Sequence, residues 1–121
     1  METTEYPYTG KNGNCKDGSG KVSVMNYANV GKTVLQHKAA LEYGVVSIAL
    51  AAGNNVFSMY RSGIVDSSSN CPTSIDHAVA MVGWGSEGGQ DYWIVRNSWG
   101  GSWGDKGHIK LAAIDDNKGI C

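Results

Sequence analysis

Residues 77–97 read HAVAMVGWGSEGGQDYWIVRN, two apolar runs on either side of a polar, glycine-containing centre. The runs 77–85 and 92–97 are rich in aromatic and aliphatic residues, and SEGGQD between them supplies turn chemistry. The pattern predicts an antiparallel β-hairpin with a flexible tip. Symmetric closure about Glu87 places His77, at the start of one strand, opposite Asn97, at the end of the other. Residues so opposed lie about 4.5–5.5 Å apart, close enough for an imidazole and an amide on one face to hydrogen-bond. A bulge in the tip would move the register by one residue.

The stretch RNSWGGSWG (96–104) continues from that hairpin with two indoles set among glycines. Glycine permits tight backbone paths and close approach, so the indoles are free to lie over what is beneath them. An imidazole that acts as a base needs its other nitrogen held, to fix tautomer and ring plane. Asn97 offers a carbonyl oxygen for that without adding charge. Trp99, two residues on, is placed to cover the bond and keep water from competing for it. Taken singly, each residue has a plainer reading. A lone histidine at a strand start is more often structural than catalytic, and His37 and His108 are read that way. Tryptophans beside glycines usually pack.

Working outward, VSVMNY (22–27) alternates like a short strand, and Val34, Leu35, Ala39 and Leu41 give a loose helical stripe over 31–43, stopped at Gly44. VVSIALA (45–51) reads as a buried strand, 54–65 as a turn and an irregular piece, and GHIKLAA (107–113) as a further strand. Residues 1–30 are otherwise extended and irregular. The fold class is α+β, with a twisted antiparallel sheet and one main helix.

The 121 residues are one domain's worth or part of one. A net charge of −1 gives no electrostatic footprint for nucleic acid or an anionic membrane. No apolar run approaches the roughly 18 residues of a membrane span, and METTEYPYTG has neither the basic nor the apolar part of a signal peptide. Three cysteines leave one thiol free or paired outside the chain.

Together, DHAVAMVGWG (76–85) and DYWIVRNSWGGSWGDKGHIKL (91–111) resemble the His and Asn blocks of papain-like cysteine proteases. YPYTG (6–10), GVVSIALAAGNNVFSMYRSGIV (44–65) and GIC (119–121) are similar to that family's equivalent stretches in the same order. The resemblance implies His77 as general base, Asn97 as its orienter and Trp99 as the shield of the pair, as in the Cys-His-Asn variant of the catalytic triad. It implies no metal and no cofactor. It places Ala49, Ile75, Asp76 and Ala78 at the walls of the main specificity pocket.

The resemblance also implies what else the enzyme needs. The family's nucleophile lies in a Cys-Gly-Ser-Cys-Trp type segment far upstream of the histidine, and no such segment occurs here: Cys15 lies in GNCKDG, Cys71 in SNCPTS and Cys121 in GIC. Residues 1–121 therefore read as a partial peptidase domain, the β-rich right-hand lobe, with the helical lobe and its cysteine elsewhere. By resemblance Cys71 and Cys121 form a disulfide, and Cys15 has its partner in the other lobe. A free thiol at Cys15 is the alternative. Implied partners are peptide or protein substrates, the N-terminal lobe and cystatin-like inhibitors. The implied compartment is a lysosome or vacuole, or the exterior. The competing reading is a non-catalytic lobe kept as a binding or structural module, against which an intact His77, Asn97 and Trp99 weigh.

Overall fold

The computed structural model describes residues 6–15, 22–116 and 119–121. Its organising element is the hairpin. Gly88 and Gly89 hold φ of 59° and 82°, the left-handed backbone that a two-residue turn demands and glycine adopts without strain. Around them β3 (His77–Glu87) and β4 (Gln90–Arg96) pair antiparallel, with Glu87 opposite Gln90. The tip is thus a tight turn, and it is not centred on Glu87.

The ladder then slips by one residue between Met81 and Gly83, leaving Val82 as the extra residue of a bulge. Beyond it Met81 faces Val95 and Ala80 faces Arg96. Continuing that register puts Asn97 opposite Val79, so His77 is a diagonal neighbour of Asn97 and not its direct opposite. Side chains alternate between faces with period two. Because the shift from symmetric closure is even, the two side chains still share a face.

The hairpin sits at the centre of a five-stranded sheet. β1 (Val46–Leu50) runs antiparallel to β3, and β5 (His108–Ala112) antiparallel to β4. The short β2 (Ile64–Val65) pairs parallel with β5, giving the order β1-β3-β4-β5-β2. The sheet is therefore mixed, with one parallel edge where an antiparallel sheet was expected. β1 is an edge strand whose residues alternate between half-buried and exposed until Leu50, not the fully buried run its apolar sequence suggests.

Helix α1 (Val34–Leu41) is shorter than the 31–43 stripe. Thr33 and Gln36 form a reciprocal capping box at its start. The helix buries no residue completely. It is held to the sheet by Lys38, whose ammonium sits 3.8 Å over the Trp84 ring and pairs with Asp91, and by His37 against Trp93. A second helix, α2 (Asn55–Ser58), lies in the stretch expected to be irregular. Residues 22–27 form no strand, and Val22, Val24, Met25 and Tyr27 are exposed. Alternation gives a strand only when a ladder partner is present, and the described residues offer none there.

Phe57, Val95 and Ile109 are fully buried at the centre of a core that also takes in Leu50, Tyr60, Val65, Trp103 and Leu111. A disulfide joins Cys71 to Cys121 across 50 residues, with Cys121 in that core. The Cys121 carbonyl accepts from the Ala51 N–H, tying the described C-terminal end to the end of β1. Cys15 is free and exposed.

Candidate active site

His77 opens β3, and its Nε2 lies 2.9 Å from Asn97 Oδ1. The same oxygen accepts the Ser98 backbone N–H at 2.8 Å. An amide oxygen accepts and cannot donate, so this second bond fixes which way the carboxamide points. Nε2 is then the nitrogen that carries the proton. Nδ1 makes no hydrogen bond with the described residues, so in the neutral ring it keeps a free lone pair. An imidazole held at one nitrogen and open at the other can take and return a proton there.

Asn97 is only 7% exposed, and its backbone N–H donates to the Gly107 carbonyl at 2.9 Å. Gly107 therefore steers the chain as it leaves β4 and holds the amide at the His77 side. The Asn97 Nδ2 is buried with no hydrogen-bond partner among the described residues.

Trp99 lies over the imidazole, with ring centroids 5.3 Å apart and planes inclined by 34°. It remains 44% exposed, so it packs on His77 with its inner face and meets solvent with its outer one. Phe57 meets both rings edge-on, 6.1 Å from the His77 ring at 76° and 5.5 Å from Trp99 at 89°. Trp103 lies 4.9 Å from Phe57, and its indole N–H donates to the Ser58 carbonyl. Trp99, expected to act as a single cover, is one member of a three-ring cluster.

Asp76 does more than precede the histidine. Its carboxylate accepts the N–H groups of Ala52 and Gly53 at 2.7 and 2.9 Å, and its own N–H donates to the Leu50 carbonyl. These bonds pin the start of β3 to the end of β1, fixing the backbone that carries His77. Ala49 and Ala78 are direct cross-strand partners on the outward face of the sheet, opposite the face that carries His77. Ala78 lines a hollow of about 440 Å³ with Ser47 and Ala80, whereas Ala49 and Ile75 line a separate groove of about 340 Å³. The four expected pocket residues do not share one cavity within this chain.

Phe57 and Trp103 are the neighbours that sequence reasoning missed. A signal was present for the first. Asn54 stands three residues before Phe57 and caps α2 by accepting the Phe57 N–H at 2.9 Å. No cluster of three or more His, Cys, Asp or Glu side chains suited to a metal ion occurs among the described residues. No helix among them is long and apolar enough to cross a membrane.

The profile described as "Papain family cysteine protease" matches residues 1–121. The chain is 47% identical over 111 residues to the germination-specific cysteine protease 1 of Arabidopsis thaliana, covering 88% of this chain and 29% of that protein. It is 41% identical to the digestive cysteine proteinase 2 of Homarus americanus, covering 93% of this chain and 36% of that protein. Among solved structures, the bromelain protease of Ananas comosus, in complex with the E64 inhibitor, superposes with a TM-score of 0.80 at 34% identity, over 98% of this chain and 56% of its own. The chain thus spans about a third of the length of these curated relatives. The match along residues 1–121, with a solved structure of the same fold beside it, makes this chain a member of the papain family of cysteine proteases.

Proposed function

We propose that this chain is the β-rich lobe of a papain-family endopeptidase, a partial catalytic domain that supplies the proton-transfer half of the machinery. The observation that carries the reading is the His77 ring, bonded to Asn97 through Nε2 and without a hydrogen-bond partner at Nδ1 among the described residues. A cysteine from another part of the protein meets Nδ1 and gives it a proton, forming a thiolate–imidazolium pair. The thiolate adds to the scissile carbonyl, and the imidazolium protonates the departing amine as the C–N bond breaks. Water then attacks the thioester while His77 takes its proton, releasing the acid and restoring the thiol. Throughout, Asn97 keeps the ring plane and tautomer, and Trp99 limits water at the bond.

Cys71 and Cys121 are bonded to each other, and Cys15 is exposed and free. No thiol of this chain is placed beside His77. Residues 1–121 alone should therefore hydrolyse nothing, and Cys15 pairs with the other lobe. Substrates are peptides and proteins lying in the cleft between lobes, where cystatin-like inhibitors also bind. Ala49, Ile75 and Ala78 are apolar and exposed. Assembled with the other lobe, they favour Leu, Val or Phe two residues before the cut over Arg or Glu. A structural disulfide suits an oxidising compartment, in keeping with a lysosome, a vacuole or secretion.

The test is to treat residues 1–121, and separately the full-length protein, with an electrophilic peptide epoxide. Labelling of a cysteine outside residues 1–121, together with peptide hydrolysis by the full-length protein, is the expected result. Stoichiometric labelling of Cys15 would overturn the reading.

A further inference from the structure

Building on the peptidase reading, we propose that Phe57 is a positioning residue for His77, acting through Trp99. Trp99 is 44% exposed and makes no hydrogen bond with the described residues. Neither burial nor a polar anchor keeps it over the His77 ring, so its orientation rests on ring contacts. Those contacts are nearly perpendicular, to Phe57 at 5.5 Å and 89° and to Trp103 at 5.5 Å and 78°. Such edge-to-face arrangements are directional and follow from the charge pattern of the rings. Among the described residues Phe57 and Trp99 each meet His77, Trp103 and one another, and of the two only Phe57 is fully buried.

Phe57 is itself well placed to act as the fixed member. It is fully buried, and its backbone N–H is held by the Asn54 cap. The Asn54 side-chain amide in turn donates to the Ala51 carbonyl. The adjoining Ala52 and Gly53 N–H groups bond Asp76, the residue before His77. One short segment, 51–57, therefore sets both the backbone that presents the imidazole and the ring that props its cover. A residue that only filled the core would need volume alone. A residue that holds Trp99 needs a flat ring.

The experiment is Phe57→Leu in the full-length protein, which keeps an apolar side chain and removes the ring. Two quantities are read: solvent exchange of the His77 Nε2–H by NMR, and kcat and KM on a peptide substrate. We expect exchange to rise about tenfold and kcat to fall about tenfold with KM within about twofold, the pattern of a transition-state defect. Phe57→Tyr, which retains the ring, should hold both within about threefold of the parent. In a Trp99→Ala background, Phe57→Leu should add less than about twofold, because its route is gone.

Parental exchange and kcat in Phe57→Leu would overturn the inference, as would full multiplication of its effects with those of Trp99→Ala. Should Phe57→Leu not fold, Phe57→Met fills irregular space and carries the same expectations. A full-length protein with no peptidase activity would instead sink the peptidase reading, while the exchange rates still decide the role of Phe57.

Discussion

His77 and His37 each lie against a tryptophan, with ring centroids 5.3 Å apart for His77–Trp99 and 5.8 Å for His37–Trp93. Beyond that likeness their surroundings diverge. His77 is held by a side-chain amide just past the end of β4, inside a corner that buries Asn97 and Phe57. The His37 Nδ1 bonds the Thr33 carbonyl at 3.0 Å, one turn back in a helix that buries no residue completely. A histidine beside a tryptophan is thus no signature of a site by itself. What separates the two is where the partner of the bonded nitrogen comes from: a side-chain amide from the other arm of the hairpin for His77, a backbone carbonyl one turn back for His37.

The widest gap should appear in turnover by the full-length protein. His77→Ala should lower kcat/KM by about 10³-fold or more, since in the proposed mechanism it removes the group that moves the proton. Asn97→Ala, which in that mechanism removes only the orienter, should leave a clearly measurable residue, orders of magnitude above His77→Ala. His37→Ala should stay within about threefold of the parent, because its bonds are local. Parental activity in His77→Ala would erase the distinction.

Next in size is the cross-link that closes the buried side. Replacing Cys71 and Cys121 by Ser should cost about 4 kcal/mol in chemical denaturation, the chain-entropy value for a loop of this length. Non-reducing peptide mapping should recover the Cys71–Cys121 pair, and a peptide linking Cys15 to either one would refute the pairing.

Glycine substitutions sharpen the contrast further. At Gly104 φ is 59°, and an added Cβ would lie 2.5 Å from the His108 carbonyl oxygen. Gly104→Ala should cost about 1–3 kcal/mol. At Gly13 nothing lies within 4 Å of the added atom, and Gly13→Ala should change stability by less than about 0.5 kcal/mol. Equal losses would mean that the N-terminal side is packed as tightly as the site.

The smallest effect belongs to the ion pair that tethers α1. The hydrogen bond from Lys38, then that from Ser86, holds the Asp91 carboxyl below the usual carboxylate range. A carboxyl lowered in the folded state adds stability that is fully present above its unfolded value, near 3.9. That contribution fades as the pH falls through the lower folded value. Asp91→Asn should therefore flatten the pH dependence of stability below about pH 4 and leave it unchanged from pH 5 to 7. An equally steep acid loss in Asp91→Asn would show that the tether contributes nothing.

Much of the site was legible because it is local. His77 and Asn97 belong to one hairpin, and period-two alternation needs only an even register shift to keep them on one face. The bulge at Val82 left no mark in the sequence, since any residue of that run could have been the extra one. β2 pairs with a strand far along the chain, and its two residues carry too little pattern to announce it. α2 was hidden by its shortness, although Asn54 before Val56 and Phe57 was a usable cap signal. The alternation at 22–27 misled because pattern measures fitness for a sheet and says nothing about whether a neighbouring strand is there.

The two-glycine turn also bears on the order in which the molecule folds. His77 and Asn97 are 20 residues apart, and closing so short a loop around a preformed turn loses little chain entropy. Hairpins of this kind close within about 1–10 μs. Phe57 joins from outside the hairpin, and β2 must find β5 from the far side of it. The polar half of the site is therefore expected to meet early, while its aromatic enclosure comes later with the non-local contacts. Variants of the residues that enclose the pair should then mainly unfold faster, and variants within the hairpin should mainly fold more slowly.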